Sequence, residues 1–168
     1  MKLLCHGSSQ IVDLPLLLAG RRHLDFGQGF YLTSSPEQAA KWAQLVARRR
    51  NVGRPTISVF EFDKERIATL KILLFDRPSG AWLDFVVANR KELSGIRRYD
   101  LVIGPVANDN TLPVIDDYMD GKYTKKEAIR RLLPQKLADQ AAFLTTKSLE
   151  LLSFHHSEIL PRFQTPEC

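Results

Sequence analysis

The run Thr56-Ile57-Ser58-Val59-Phe60-Glu61-Phe62 is the clearest strand in the chain, because its residues alternate and are β-branched or aromatic at several positions. It follows a helical stretch after Asn51-Val52-Gly53. Ser35 is placed to cap a helix, Pro36 fits the first helical position and Gln38 stands where a capping box wants an amide or acid. That helix should run to about Arg50, with Ala39, Trp42, Ala43 and Val46 as its apolar face. Further strands are expected over residues 2–8, 30–33, 70–75, 100–106, 140–145 and 154–160. Helices are expected over 80–90, 110–119 and 124–133, with single helical turns near 16–20 and 146–152. Strands and helices interleave without the regular spacing of a doubly wound sheet, so the pattern predicts an α+β fold.

The 168 residues, 44% of them hydrophobic, suit one domain spanning 1–168 with a single buried core. A formal charge of +5 comes partly from Arg21-Arg22, Arg48-Arg49-Arg50, Arg97-Arg98 and Arg130-Arg131. Such a surplus favours anionic partners, nucleic acid and dinucleotide pyrophosphate among them, although arginines on a helix also simply solvate its face. Cys5 and Cys168 stand at opposite ends and make no disulfide framework, which fits a reducing, cytoplasmic setting. The apolar stretch 14–19 is too short to span a membrane, so a soluble protein with no membrane partner is expected.

Four small signals bear on chemistry. His6-Gly7-Ser8, at the end of the first strand, offers a titratable ring, a backbone that a ligand can approach closely, and a hydroxyl. Asp25-Phe26-Gly27-Gln28-Gly29-Phe30-Tyr31 puts two glycines before an aromatic strand; it leads into a strand rather than a helix, so it is no Rossmann fingerprint. Trp42, on the next helix, can face Tyr31 across a flat ring or fill the core. Asn108 or Asp109, after the strand ending near Val106, can cap the following helix. His155-His156 is not spaced as a metal pair, no metal cluster is visible, and neither a P-loop nor a nucleophile elbow occurs.

Together, His6-Gly7-Ser8, then Gly27-Gln28-Gly29-Phe30-Tyr31-Leu32, then Trp42, resemble in order and spacing the NAD-binding core of the ADP-ribosyltransferases of the diphtheria-toxin and poly-ADP-ribose-polymerase class. The helix 37–43, Trp82-Leu83-Asp84-Phe85, Asn89-Arg90, the run 104–109 and Asp139-Gln140-Ala141-Ala142-Phe143 resemble more closely a bacterial, toxin-like branch of that superfamily. The resemblance implies a split β-sheet core with flanking helices. It further implies that Gly7 holds the nicotinamide amide through its backbone and that His6 bonds a ribose hydroxyl, with Ser8 and Gly29 beside them. Tyr31 and Trp42 would supply the two aromatic faces.

Two positions depart from the pattern. Ala39 replaces a hydroxyl residue that bonds the amide, and Gln140 stands where the class has a catalytic glutamate that meets the ribose 2′-hydroxyl. A glutamine accepts a hydrogen bond but brings no charge against a developing cation. Asp139, next to it, should point to the opposite face of a regular strand. The resemblance thus implies a mono-ADP-ribosyltransferase with NAD as substrate, His6, Tyr31 and Gln140 as catalytic residues, and Arg21, Arg22 or Arg90 against the pyrophosphate. A macromolecular acceptor, protein or nucleic acid, and an antitoxin partner are further implications. A non-catalytic NAD-binding or partner-binding module and a basic nucleic-acid-binding protein stand as alternatives.

Overall fold

The computed structural model describes residues 2–17, 24–91, 99–107 and 111–162. Strands β1 (Lys2–Ser8), β3 (Thr56–Phe62) and β7 (Leu152–Ile159) form one antiparallel sheet with β3 in the middle. In the second sheet β2 (Phe30–Leu32) pairs with β6 (Asp139–Phe143), then β5 (Leu101–Pro105), then β4 (Ile72–Leu74), and only β4 and β5 run parallel. Helices α1 (Pro36–Arg50), α2 (Gly80–Arg90), α3 (Leu112–Met119), α4 (Lys125–Leu132) and the short α5 (Thr146–Leu149) complete an α+β architecture. No helix among the described residues is long and apolar enough to cross a membrane.

The central place of β3 explains its composition, since every residue from Thr56 to Phe62 except Glu61 is buried. The sheets enclose a cluster that includes Leu4, Phe30, Leu32, Phe60, Phe62 and Phe143. On the other face of the second sheet, Val102 and Ala142 meet Trp82, Leu83 and Val86 of α2, Ile115 of α3 and Ala128 of α4. α1 covers the outer face of the first sheet through Ala39 against Cys5, Ile57 and Val59.

α1 starts as expected: Ser35 Oγ accepts from the N–H of Gln38 at 3.2 Å, and Pro36 follows. The reciprocal half of the box is absent, because the N–H of Ser35 donates to Thr33 Oγ1. The expected apolar face needs a correction. The buried row is Ala39, Ala43 and Ala47, spaced by four, while Trp42 is 40% exposed. Small residues win that face because α1 lies almost backbone to backbone on β1: a Cβ on Gly7 would stand 2.1 Å from the carbonyl oxygen of Ala39.

Several bounds shift. β6 begins at Asp139, β7 begins at Leu152, β4 shrinks to three residues, and Glu65–Thr69 forms a 3-10 helix that the periodicity does not signal. The expected caps at Asn108 and Asp109, and residues 18–20 of the expected turn, lie outside the described residues.

Candidate functional site

β1 and β2 belong to different sheets but join at one bridge, where Cys5 and Thr33 exchange N–H to carbonyl bonds of 2.8 and 2.9 Å. Beyond it the strands part. Along an antiparallel strand the main-chain groups of alternate residues point to the same edge. Since Cys5 bonds Thr33, Gly7 turns its N–H and C=O to that outer edge, past the last β1–β2 backbone bond.

His6 spans the gap. Its Nδ1 lies 2.8 Å from the carbonyl oxygen of Tyr31, and its ring stacks on Phe30 with centroids 4.5 Å apart. A carbonyl only accepts, so Nδ1 carries the proton. Burial pushes the His6 pKa down, against a smaller upward pull from the bond to Tyr31. The ring is therefore neutral near pH 7 and Nε2 is an acceptor.

Tyr31 is fixed at its far end as well. Its hydroxyl donates to the carbonyl of Gly27 at 2.6 Å and accepts from the N–H of Phe26 at 3.1 Å. Gly27 has φ +92°, a left-handed value that a side chain would strain. Burial drives the Tyr31 hydroxyl pKa far up, so it stays a phenol and takes no part as a base. Gly29 has a packing role: a Cβ there would stand 2.6 Å from the carbonyl oxygen of Phe143 on the adjacent strand. Ser8 closes a local turn in which its Oγ bonds the main chain of Gln10.

Gln140 is 8% exposed, and its Nε2 reaches the carbonyl of Pro105 at 3.5 Å, an oxygen that also takes Trp82 Nε1 at 3.2 Å. Ala142, two residues on and on the same face of β6, lies directly opposite Tyr31. Gln140 and Tyr31 therefore share one face of the second sheet. Asp139 takes the other direction: Oδ1 accepts from Ser34 N at 3.0 Å, Ser34 Oγ at 2.6 Å and Thr33 Oγ1 at 3.2 Å. Burial raises its pKa, but those bonds and Lys2 at 3.7 Å outweigh it and hold the carboxylate below its usual range. Among the described residues Trp42 forms no ring pair, with Tyr31 or any other aromatic, and it is 40% exposed.

Arg90 is committed elsewhere than a pyrophosphate. Its Nε and one terminal nitrogen lie 2.8 and 2.7 Å from Asp25 Oδ1, with Asp116 at 3.5 Å, and both main partners are largely buried. Sequence spacing gives no sign of that pair, which ties the turn before Tyr31 to α2. Arg21 and Arg22 lie outside the described residues. On the other side of the Cys5–Thr33 bridge a hollow of about 190 Å³ is lined by Leu3, Cys5, Pro36, Val59 and His156 among others. It is small for a dinucleotide. Burial and Glu158 push the Cys5 thiol up, so no ready nucleophile lines it.

Residues 1–154 match the model of a family described as a protein of unknown function (DUF3990), and the chain belongs to that family. The matched stretch contains the β1–β2 gap, α1 and Gln140. A search of curated proteins returns no match.

Proposed function

We propose that this DUF3990 protein binds NAD at the β1–β2 gap and acts as a mono-ADP-ribosyltransferase on a macromolecular acceptor. The observation that carries the reading is the outward-facing main chain of Gly7 next to a neutral His6 with an accepting Nε2. A carboxamide needs one acceptor and one donor side by side, and the edge of an unpaired strand offers that pair. The imidazole Nε2 then accepts from a ribose hydroxyl. Tyr31 and the exposed ring of Trp42 stand on the strand and helix that follow, as the two aromatic faces for nicotinamide.

In the reaction the bond from ribose C1′ to the nicotinamide nitrogen breaks, and its electron pair neutralises the departing pyridinium. A lone pair of the acceptor forms the new bond to C1′, and the acceptor's proton passes to solvent. Gln140 meets the ribose without charge, which lowers the rate by about a hundredfold relative to a preorganised carboxylate. Asp139 favours a second reading, an NAD-binding module with little turnover, because its carboxylate is bonded to Ser34 and Thr33.

Calorimetric titration with NAD tests the pocket. Wild type should bind, and Trp42→Ala, a change at an exposed position, should weaken binding at least tenfold while leaving the melting curve in place. Equal affinity in both overturns the pocket. Nicotinamide release in the presence of a cell lysate then separates transferase from silent binder.

A further inference from the structure

The C-terminal end of α1 gathers arginines from three separate stretches. Arg48, Arg49 and Arg50 close the helix, Arg54 follows the turn at Gly53, and Arg162, beyond β7, donates to the carbonyl of Gly53. That turn is fastened to the end of β1: the N–H of Arg54 donates to Ser9 O at 2.9 Å, and a Cβ on Gly53 would stand 2.0 Å from the same oxygen. All five arginines are exposed.

Of the other described arginines, all but the exposed Arg77 are engaged with carboxylates. Arg66 meets Glu150, Arg90 meets Asp25, and Arg130 and Arg131 share Glu127. Arg48, Arg49, Arg50 and Arg54 have no carboxylate partner among the described residues. The negative end of the helix dipole accounts for arginines in the last turn of α1, but it does not account for Arg54 or Arg162, which come from other segments. Successive residues on a helix point about 100° apart, so Arg48 to Arg50 fan around the helix end instead of lining one flat face. A rigid duplex meets only part of such a fan. A flexible strand with a charge at every repeat follows it.

We infer that this end of the molecule is a docking surface for the phosphate backbone of a single-stranded nucleic acid. Guanidinium forks match phosphate oxygens in pairs, and several of them free of internal partners pay no penalty for leaving an ion pair. The surface starts six helical residues from Trp42, roughly 9 Å along α1, so a bound strand runs toward the β1–β2 gap. The inference goes beyond the NAD reading and does not depend on it.

Fluorescence anisotropy with labelled 20-nucleotide single-stranded DNA and RNA, in the absence of NAD, tests it across a salt series. Wild type should bind at 50 mM salt. The variant R49Q/R50Q/R54Q should lose at least tenfold in affinity, and its salt slope should shrink by about two, the loss of three phosphate contacts on a single strand. Absence of wild-type binding, or equal binding by the variant, overturns the inference. Displacement by poly-glutamate as effective as by unlabelled strand also overturns it and assigns the surface to acidic protein. A duplex that binds tighter than either single strand overturns the single-strand assignment. The variant's NAD titration should match wild type and its melting midpoint should fall by no more than a few degrees, the loss of two helix-end cations, so failure here and failure of the NAD pocket are read separately.

Discussion

The imidazole Nδ1 of His6 and the main-chain oxygen of Tyr31 lie 2.8 Å apart across the gap where β1 leaves β2. One hydrogen bond therefore sets the tautomer of His6 and also joins two strands whose backbones have separated. Titration of that ring should be visible in stability. Above the ordinary histidine pKa of 6.5 neither the folded nor the unfolded chain carries the charge, and His6 contributes nothing. As pH falls below 6.5 the unfolded chain takes a proton that the folded chain resists, so stability drops until the lowered folded pKa is reached. The slope approaches about 1.4 kcal/mol per pH unit. Urea unfolding at pH 7.5 and 5.5 should show this loss in wild type and a smaller one in His6→Phe; equal losses would place the effect on other groups.

Gly7→Ala should destabilise the fold by about 3 kcal/mol or more, at the upper end of overpacking, because the new methyl meets helix backbone rather than a movable side chain. Chemical denaturation measures it. A change below 1 kcal/mol would mean that α1 moves away freely.

Tyr31→Phe keeps the ring but leaves the Gly27 carbonyl and the Phe26 N–H without their hydroxyl partner. A stability loss of about 1–3 kcal/mol is expected. NAD affinity should change less than threefold, since the proposed stacking uses the ring face. A large loss of affinity with unchanged stability would move the hydroxyl into the ligand site.

Arg90→Ala should cost about 3–5 kcal/mol, the usual result of leaving a buried carboxylate alone, here Asp25. Arg90→Ala with Asp25→Ala should recover part of it. Full additivity of the two single losses would show that the pair does not couple.

Gln140→Glu should raise nicotinamide release by about a hundredfold if a missing charge limits the rate. It should also lower stability, because a carboxylate would then face the Pro105 carbonyl. An unchanged rate in a folded variant would exclude Gln140 from the ribose.

Much of the fold is legible in local signals. The strand Thr56–Phe62 and the helix Gly80–Arg90 coincide with their expected limits, and the Ser35 cap forms as its spacing implies. The orientation of α1 was not legible in the same way. A scale that ranks residues by hydrophobicity turns Trp42 inward, whereas contact with Gly7 requires alanine at every fourth position. The clue was the pairing of a strand glycine with an alanine row. Arg90 and Asp25 lie 65 residues apart, and nothing local in either segment announces their contact. The resemblance places Gly29 beside the ligand, while the atom its missing side chain admits is a backbone oxygen of the neighbouring strand.

The alanine row of α1 has a kinetic side. Helix and strand meet with no layer of long side chains between them, so little in that contact can rotate or compress when something arrives at the edge of Gly7. Capture at that edge should then behave as a single encounter with a ready-made surface, with an association rate that scales linearly with ligand concentration and no slow settling phase after it.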